Sequence, residues 1–515
     1  MLTSAEILGP QGSIARRLAH YEHRPEQLAM AEAVAHAMQH QHHLVAEAGT
    51  GVGKSFAYLV PAILAVCQPI DPKSPPKRLV VSTHTISLQE QLMQKDLPLL
   101  RSVIPLEFTA VLVKGRSNYL SLRRMNSAAA RAGSLFHQEE EMVELRNLVS
   151  WSKETGDGSL ADLSHSPLSQ VWDEVQSDSG NCMGRQCPTY KECFYYRARR
   201  RAQNAQVLVV NHALFFSDLG LRQSGVSILP DYDAVIFDEA HTLEAVASDH
   251  LGDNITQGQI EFVLNKLYND RTNKGLLVHR KLTAAQQEVE KVRWREQEFF
   301  DDVGGWLAER GKSTVRVGQP EIVQNMLSPA LAQLAKIVKQ EGSGLKDEEK
   351  QDFVAAANRL AALAGSVEAW RKQIAGDAVY WADSTRSRRG RPRITLSSAP
   401  LDIGPTLREH LFDKVPTVVM TSATLSVGSQ GSFDFFKSRV GLTQTVAQRW
   451  GSPFDYQRQA ELVLLDGMPD PTTDKDAYER AAVAMIKRYV ARTDGHAFVL
   501  FTSYDMMTRV AGEMT

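Results

Sequence analysis

The stretch that decides the reading is Leu44-Val45-Ala46-Glu47-Ala48-Gly49-Thr50-Gly51-Val52-Gly53-Lys54-Ser55. A short apolar run leads into a glycine-rich loop, and the apolar residues of Ser55–Cys67 follow at helical spacing, so strand, loop and helix are predicted in that order. Glycines in such a loop let successive backbone N–H groups turn inward around phosphate oxygens. Within Ala48, Gly49, Thr50, Gly51, Val52, Gly53, Lys54 and Ser55, the Lys54 ammonium is expected to reach the β- and γ-phosphates of a nucleotide and the Ser55 hydroxyl to bind Mg²⁺. Alanine stands at 48, where glycine often stands, and is small enough to be tolerated. The alternative, a glycine turn that only caps a helix, fits the strand–loop–helix context less well.

Working outward, Leu79–Ser82, Val207–Val210, Ala234–Phe237 and Val418–Met420 are further short apolar runs, with a helical pattern over Thr85–Gln94. Buried strands alternating with helices predict a parallel α/β sheet. Asp238-Glu239-Ala240-His241 follows the Ala234–Phe237 run directly. Carboxylates at the end of a strand beside a phosphate loop are where Mg²⁺ is held, so Asp238 is expected in the Mg²⁺ shell and Glu239 to position and activate the attacking water. His241 is placed among the nucleotide-binding residues. An acidic helix start favoured by the helix dipole is the competing reading. Thr421-Ser422-Ala423-Thr424 follows the next strand and would sense the γ-phosphate, or else form a Ser/Thr turn. Gln27, in Arg24-Pro25-Glu26-Gln27, is placed to hydrogen-bond an adenine edge; a helix start with an early proline is the other reading.

The α/β pattern is interrupted twice. The first interruption contains three of the four cysteines, Cys182, Cys187 and Cys193, and a basic helix over Arg197–Arg201. The second, Thr256–Ala375, is almost entirely helical in pattern, followed by a strand pair at Val379–Ala382 and Ile394–Leu396 around the basic tip 386–393. After Gly441, Leu462–Leu465 and Phe498–Phe501 are two more strand candidates. Across 515 residues the hydrophobic share is 43%, so more than one core is expected, and a formal net charge of −2 means that any nucleic acid must be held by local basic patches. No apolar run is long enough to span a bilayer and Met1–Gln41 has no secretion-signal pattern, so a cytoplasmic chain without membrane contact is expected.

Taken together, Glu47–Ser55, Val113–Leu120 (VKGRSNYL), Val209–Ala213 (VVNHA), Phe237–His241 (FDEAH) and Thr421–Leu425 (TSATL) resemble the bacterial DinG helicases of superfamily 2, relatives of eukaryotic XPD. The resemblance runs through most of the chain. It implies a first RecA-like motor domain from residues 1–114, 206–255 and 396–440, an iron–sulfur-type insert at 115–205, a helical arch insert at 256–395, and the start of a second RecA-like domain at 441–515. It also implies an ATP- and Mg²⁺-dependent DNA helicase moving 5′ to 3′ on single-stranded or forked DNA, in repair or in resolving unusual structures. A nucleotide-regulated single-strand-binding protein and an RNA helicase are the alternatives. We expect a monomer.

DinG-like proteins bind a [4Fe–4S] cluster through four cysteines. Here Ser121 stands in the position of the first, ahead of Cys182, Cys187 and Cys193. A cluster completed by Ser121 or an exogenous ligand, a zinc site that borrows a histidine, and loss of the metal are all compatible with that set, and the cluster is the expectation taken forward. Arg199, Arg200 and Arg201 are candidate phosphate contacts, or a solvated charged face. Phe194, Tyr195 and Tyr196 would stack on bases, or form a core under the cysteines. By the resemblance, Thr83 and His84 contact the DNA backbone. The family's arginine-bearing Gln-x-x-Gly-Arg segment has no counterpart before Thr515, so the sequence reads as truncated, with weak DNA-stimulated ATP hydrolysis and no unwinding expected.

Overall fold

The computed structural model describes residues 2–68, 77–136, 138–223, 225–386 and 392–514. Residues 387–391 of the basic tip lie outside them. The strands, in chain order, are β1 (Leu44–Ala48), β2 (Leu79–Thr83), β3 (Ala110–Leu112), β4 (Val207–Asn211), β5 (Ala234–Asp238), β6 (Asp253–Thr256), β7 (Thr314–Arg316), β8 (Ala378–Arg386), β9 (Pro392–Pro400), β10 (Thr417–Ser422) and β11 (Val446–Trp450).

Seven of them form one sheet in the order β11-β1-β10-β5-β2-β4-β3, with every neighbouring pair parallel. Such a sheet is covered on both faces, which is why its central strands read as unbroken apolar runs. The side chains alternate between the two faces. Leu44, Ala46, Leu79, Val81, Val207, Val209, Ala234 and Ile236 pack in one core beneath helices Pro25–His40 and Lys54–Cys67. Val45, Val80, Leu208, Val210, Val235, Phe237, Val418 and Met420 pack in a second core with helices His212–Gln223 and Leu243–Leu251.

Two inserts carry cores of their own. In the first, Tyr119, Leu120, Leu145, Leu148, Trp172 and Phe194 pack together. The stretch 154–180 contains the helix Ser169–Val175, whose Val171, Trp172 and Val175 are buried in that core. In the second, helices Gln257–Leu267, Thr283–Ala308, Leu327–Glu341 and Asp347–Lys372 surround a core with Phe299, Phe300 and Trp370, against an antiparallel sheet in the order β6-β9-β8-β7. The predicted strand pair is there as β8 and β9. Asp352 of the second insert ties it to the first, accepting from Arg131 at 3.0 Å and from Asn181 at 2.9 Å.

β11 extends the main sheet past residue 440, pairing with β1 from Leu44↔Val446 to Ala48↔Trp450. The chain divides into two compact units at Pro453/Phe454. Unit 454–515 contains helices Tyr456–Gln459, Lys475–Arg492 and Tyr504–Met514. The strands predicted at Leu462–Leu465 and Phe498–Phe501 do not form: those residues pair with no strand and their side chains are largely exposed. An apolar β-prone run becomes a strand only where a neighbour completes its ladder.

Candidate active site

The carboxyl ends of parallel strands, at the point where the strand order reverses, are where α/β sheets bind ligands. The register brings the relevant ends together here. Ala46 of β1 lies beside Thr421 of β10, which lies beside Asp238 of β5. The loop after β1, the acidic residues after β5 and the Ser/Thr residues after β10 therefore share one edge.

Ala48 ends β1, fully buried, and the loop Gly49–Gly53 leads into helix Lys54–Cys67. Glycine is required at two points. A Cβ on Gly49 would lie 2.8 Å from the Ser452 nitrogen, and one on Gly53, which has φ of 82°, would lie 2.1 Å from Gln27 Nε2. Gly49 N–H donates to the Trp450 carbonyl at 3.2 Å, Ser452 Oγ donates to the Thr50 carbonyl at 2.8 Å, and the Gly51 carbonyl accepts from Arg24. Val52 is buried beneath the loop. Free N–H groups at the first turn of the following helix make this end a ready anion site. Lys54 opens that helix and is attracted electrostatically to Asp238.

Gln27 is buried, and its amide is already engaged: Nε2 donates to the Gly53 carbonyl at 3.1 Å and Oε1 accepts from Tyr21 at 3.4 Å. The structure thus places it under the phosphate loop.

Asp238 is buried at the end of β5. Its Oδ2 accepts from the Tyr58 hydroxyl at 3.0 Å and its Oδ1 from the Glu239 N–H at 3.0 Å. Burial first, then the Glu239 carboxylate, pushes its carboxyl up to about 6, against the pull of Tyr58, Lys54 and the Glu239 N–H. Glu239 adopts the left-handed conformation, φ 55°, uncommon for a residue with a side chain. Asp238 is held inward by Tyr58, whereas the Glu239 carboxylate reaches the last residue of β10. There its Oε2 lies 3.4 Å from both Ser422 Oγ and His241 Nδ1, and Ser422 Oγ and His241 Nδ1 are 2.8 Å apart. His241 thus bridges the acidic residues to the Ser/Thr loop.

Three neighbours of this site had no role assigned from the motifs. Glu47, buried in β1, accepts from the backbone N–H groups of Leu425 and Ser426, each at 2.6 Å, from Ser426 Oγ at 2.9 Å, and pairs with Arg449 at 2.7 Å. A carboxylate inside an apolar strand was the available clue. Tyr58 is fully buried on the helix that follows the phosphate loop. Asp96 is buried at the end of a π-helical turn, Leu92–Asp96, and burial pushes its carboxyl up against the pull of Gln91 and Ser55.

Residues 27–148 match the DEAD/DEAH box helicase family, and residues 179–260 match the family described as DEAD_2. The ATP-dependent DNA helicase YoaA of Escherichia coli is 34% identical over 512 residues, covering 98% of this chain and 75% of that protein. The ATP-dependent DNA helicase DinG of Photobacterium profundum is 29% identical, covering 92% and 72%. The chain belongs to the YoaA/DinG family of ATP-dependent DNA helicases. It is an ATP-hydrolysing enzyme built on a parallel seven-stranded α/β sheet. A solved XPD helicase is similar at 14% identity with a TM-score of 0.46, over 95% of this chain and 74% of that one. The Bacillus subtilis relative, 25% identical over 98% of this chain and 57% of that protein, is called a 3′-5′ exonuclease DinG.

The other candidate residues lie on the inserts and on neighbouring strand ends. Thr83 ends β2, buried, with its hydroxyl on the Thr85 carbonyl at 3.3 Å; His84 follows, exposed. Asn211 caps helix His212–Gln223 by accepting from Leu214 N–H at 2.8 Å. His212 is buried with Nδ1 at 2.7 Å from Ser82 Oγ, and burial pushes its imidazole down to about 3.

Arg199 donates to the carbonyls of Ser227 and Ile228, and Arg201 pairs with Asp157 at 2.7 Å, so both tie the insert to neighbouring backbone and charge. Arg200 is exposed. Phe194 and Tyr195 are buried in the insert core, the packing alternative for these rings, while Tyr196 is half-buried beside Cys182.

Among the described residues, no three His, Cys, Asp or Glu side chains converge as a metal site. Cys182, Cys187 and Cys193 nevertheless share one neighbourhood. Burial pushes the Cys193 thiol up, the backbone N–H groups of Tyr196 and Tyr195 oppose it, and the other two thiols add to the rise. Gly184 N–H donates to Cys182 Sγ at 3.4 Å. Backbone N–H groups thus point at the sulfurs of Cys182 and Cys193, while Cys187 Sγ lies 3.4 Å from the Thr189 hydroxyl. Ser121 caps helix Leu122–Ala130, accepting from Arg124 N–H at 3.4 Å. Among the described residues, no helix is long and apolar enough to cross a membrane.

Proposed function

We propose that Lys54, Ser55, Asp238 and Glu239 hydrolyse ATP and that the enzyme uses this turnover to move 5′ to 3′ along single-stranded DNA, in repair or in resolving unusual structures. The observation that carries the reading is the alignment of the β1, β5 and β10 ends, which puts the phosphate loop, both carboxylates and Ser422 on one edge. The loop and the helix N-terminus hold the phosphates, and Lys54 neutralises the β/γ charge. Ser55 and Asp238 would hold Mg²⁺, which would supply positive charge against the phosphates. Glu239 orients a water and takes its proton. His241 and Ser422 hold the Glu239 carboxylate and carry the nucleotide state into the loop after β10. Gln27 acts through Gly53, supporting the loop beneath the nucleotide.

ATP-driven removal of streptavidin from end-biotinylated single-stranded DNA, which needs movement but no unwinding, tests the direction. Removal from the 3′ end supports it, and removal from the 5′ end alone contradicts it. Stimulation of ATP hydrolysis by RNA in preference to DNA would favour the RNA-helicase alternative.

Thr83, His84 and the exposed arginines of helix Phe194–Asn204 are the proposed backbone contacts. Arg197 and Arg200 are exposed, whereas Arg199 and Arg201 hold the insert together. Reversing Arg197 and Arg200 to glutamate is therefore expected to weaken single-strand binding without unfolding the insert. The slope of log K against log salt should flatten by about 1.4 for two lost phosphate contacts. Fluorescence anisotropy across a salt series reads this directly, and an unchanged slope removes both residues from the DNA path.

Cys182, Cys187 and Cys193 are proposed to hold an iron–sulfur cluster, with the fourth iron position filled by Ser121 after release of its cap or by an exogenous ligand. Protein purified anaerobically should then be brown and contain iron; colourless, iron-free protein overturns the assignment.

A further inference from the structure

We infer that Tyr58 is a positioning residue for the ATP site: its buried hydroxyl fixes the carboxylate of Asp238 in the orientation that receives Mg²⁺. The inference rests on the proposed role of Asp238 as a holder of that ion.

The argument begins with where Tyr58 lies. It sits in the first turns of helix Lys54–Cys67, with Lys54 and Ser55 at the same end, and none of its surface reaches solvent. A buried phenol needs a partner for its O–H. The partner is Asp238 Oδ2 at 3.0 Å, on a different strand 180 residues away. One side chain of the helix that opens with Lys54 and Ser55 therefore touches the acidic box.

The lone-pair count explains why this matters. A carboxylate offers about four acceptor positions. On Asp238 one is taken by Tyr58 on Oδ2 and one by the Glu239 N–H on Oδ1. Each oxygen keeps a lone pair, and with a donor on both oxygens the carboxylate plane cannot rotate freely. One lone pair on each oxygen is thereby left for the ion. Such outer partners of metal-holding carboxylates are what set their orientation. Tyr58 cannot itself be a ligand as a phenolate, since burial first, and the Asp238 charge second, hold its proton on well beyond the ordinary range.

Tyr58→Phe removes one oxygen and leaves the ring in its core. Binding of a fluorescent ATP analogue is titrated with Mg²⁺, and binding is also measured in EDTA. The variant should need about tenfold more Mg²⁺ for half-maximal nucleotide binding, while metal-free binding stays within error of the parent. Mn²⁺ binding in the presence of nucleotide, followed by electron paramagnetic resonance, should weaken in parallel. An unchanged Mg²⁺ requirement, or a loss of metal-free binding equal to the loss with metal, overturns the inference. Asp238→Asn serves as the reference. If it too leaves the Mg²⁺ requirement unchanged, the assignment of Asp238 fails; if it raises the requirement and Tyr58→Phe does not, only the role of Tyr58 fails.

Discussion

Glu239→Gln lowers ATP turnover by about two to four orders of magnitude, while binding of a fluorescent ATP analogue persists. The expectation follows from the geometry after β5. Asp238 and Glu239 are adjacent in sequence but face different partners, because Glu239 takes the left-handed conformation and folds its own N–H back onto Asp238. Holding a side-chain-bearing residue there costs about 1–2 kcal/mol, and such strain collects at functional sites. Its result is a carboxylate partly open to solvent, resting near Ser422 and His241, with the buried carboxylate behind it left for the ion. Glutamine keeps the size and the contacts but cannot take a proton from water. Phosphate release gives the turnover, and the nucleotide titration separates chemistry from binding. A variant that retains turnover within threefold moves the proton acceptor elsewhere.

The second large effect is on stability. Glu47→Ala is expected to destabilise the unit 2–453 by about 2–4 kcal/mol, the cost of stranding buried N–H donors without an acceptor. Glu47 takes the N–H groups of Leu425 and Ser426 and the Ser426 hydroxyl, and Arg449 of β11 pairs with the same carboxylate. It joins three neighbouring strands at their functional end. Burial alone would raise its carboxyl, but the Ser426 and Leu425 N–H groups, the Ser426 hydroxyl and Arg449 together hold it below the ordinary glutamate value. A depressed folded-state value means that the unfolded chain takes up the proton first. The contribution is therefore complete above the unfolded glutamate value of 4.5 and is lost as the pH falls through the lower folded value. Urea unfolding at pH 7 and below pH 4 reads both parts. The parent should lose stability on acidification by more than Glu47→Ala does, and equal acid sensitivity would show that Glu47 is not the group.

Much of this was legible because the strongest periodic signals lie at the site itself. β1, β2, β4, β5 and β10 are buried on both faces, so each reads as an apolar run, and the residues that follow them carry the chemistry. The margins of the sheet were not legible. β3 is three residues long, and β11 is the polar-rich edge Val446-Ala447-Gln448-Arg449-Trp450, which only its register with β1 makes a strand. Conversely, Leu462–Leu465 and Phe498–Phe501 have strand composition and no ladder. Charges misled in the same way: nothing in Arg199-Arg200-Arg201 tells which guanidinium is spent on Ser227, Ile228 and Asp157 and which is free. Gln27 and Tyr58 belong to this class too, since their partners lie 26 and 180 residues away.

The central claim is that one sheet edge, with Lys54 and Ser55 on the phosphate loop and Asp238 and Glu239 opposite, hydrolyses ATP in response to single-stranded DNA. The most direct test is steady-state phosphate release by the purified protein with Mg²⁺ and ATP, with and without single-stranded DNA, alongside Lys54→Ala. DNA-stimulated release, however slow, that disappears in Lys54→Ala is the predicted result. Release that ignores DNA, or that survives the loss of Lys54, contradicts the account.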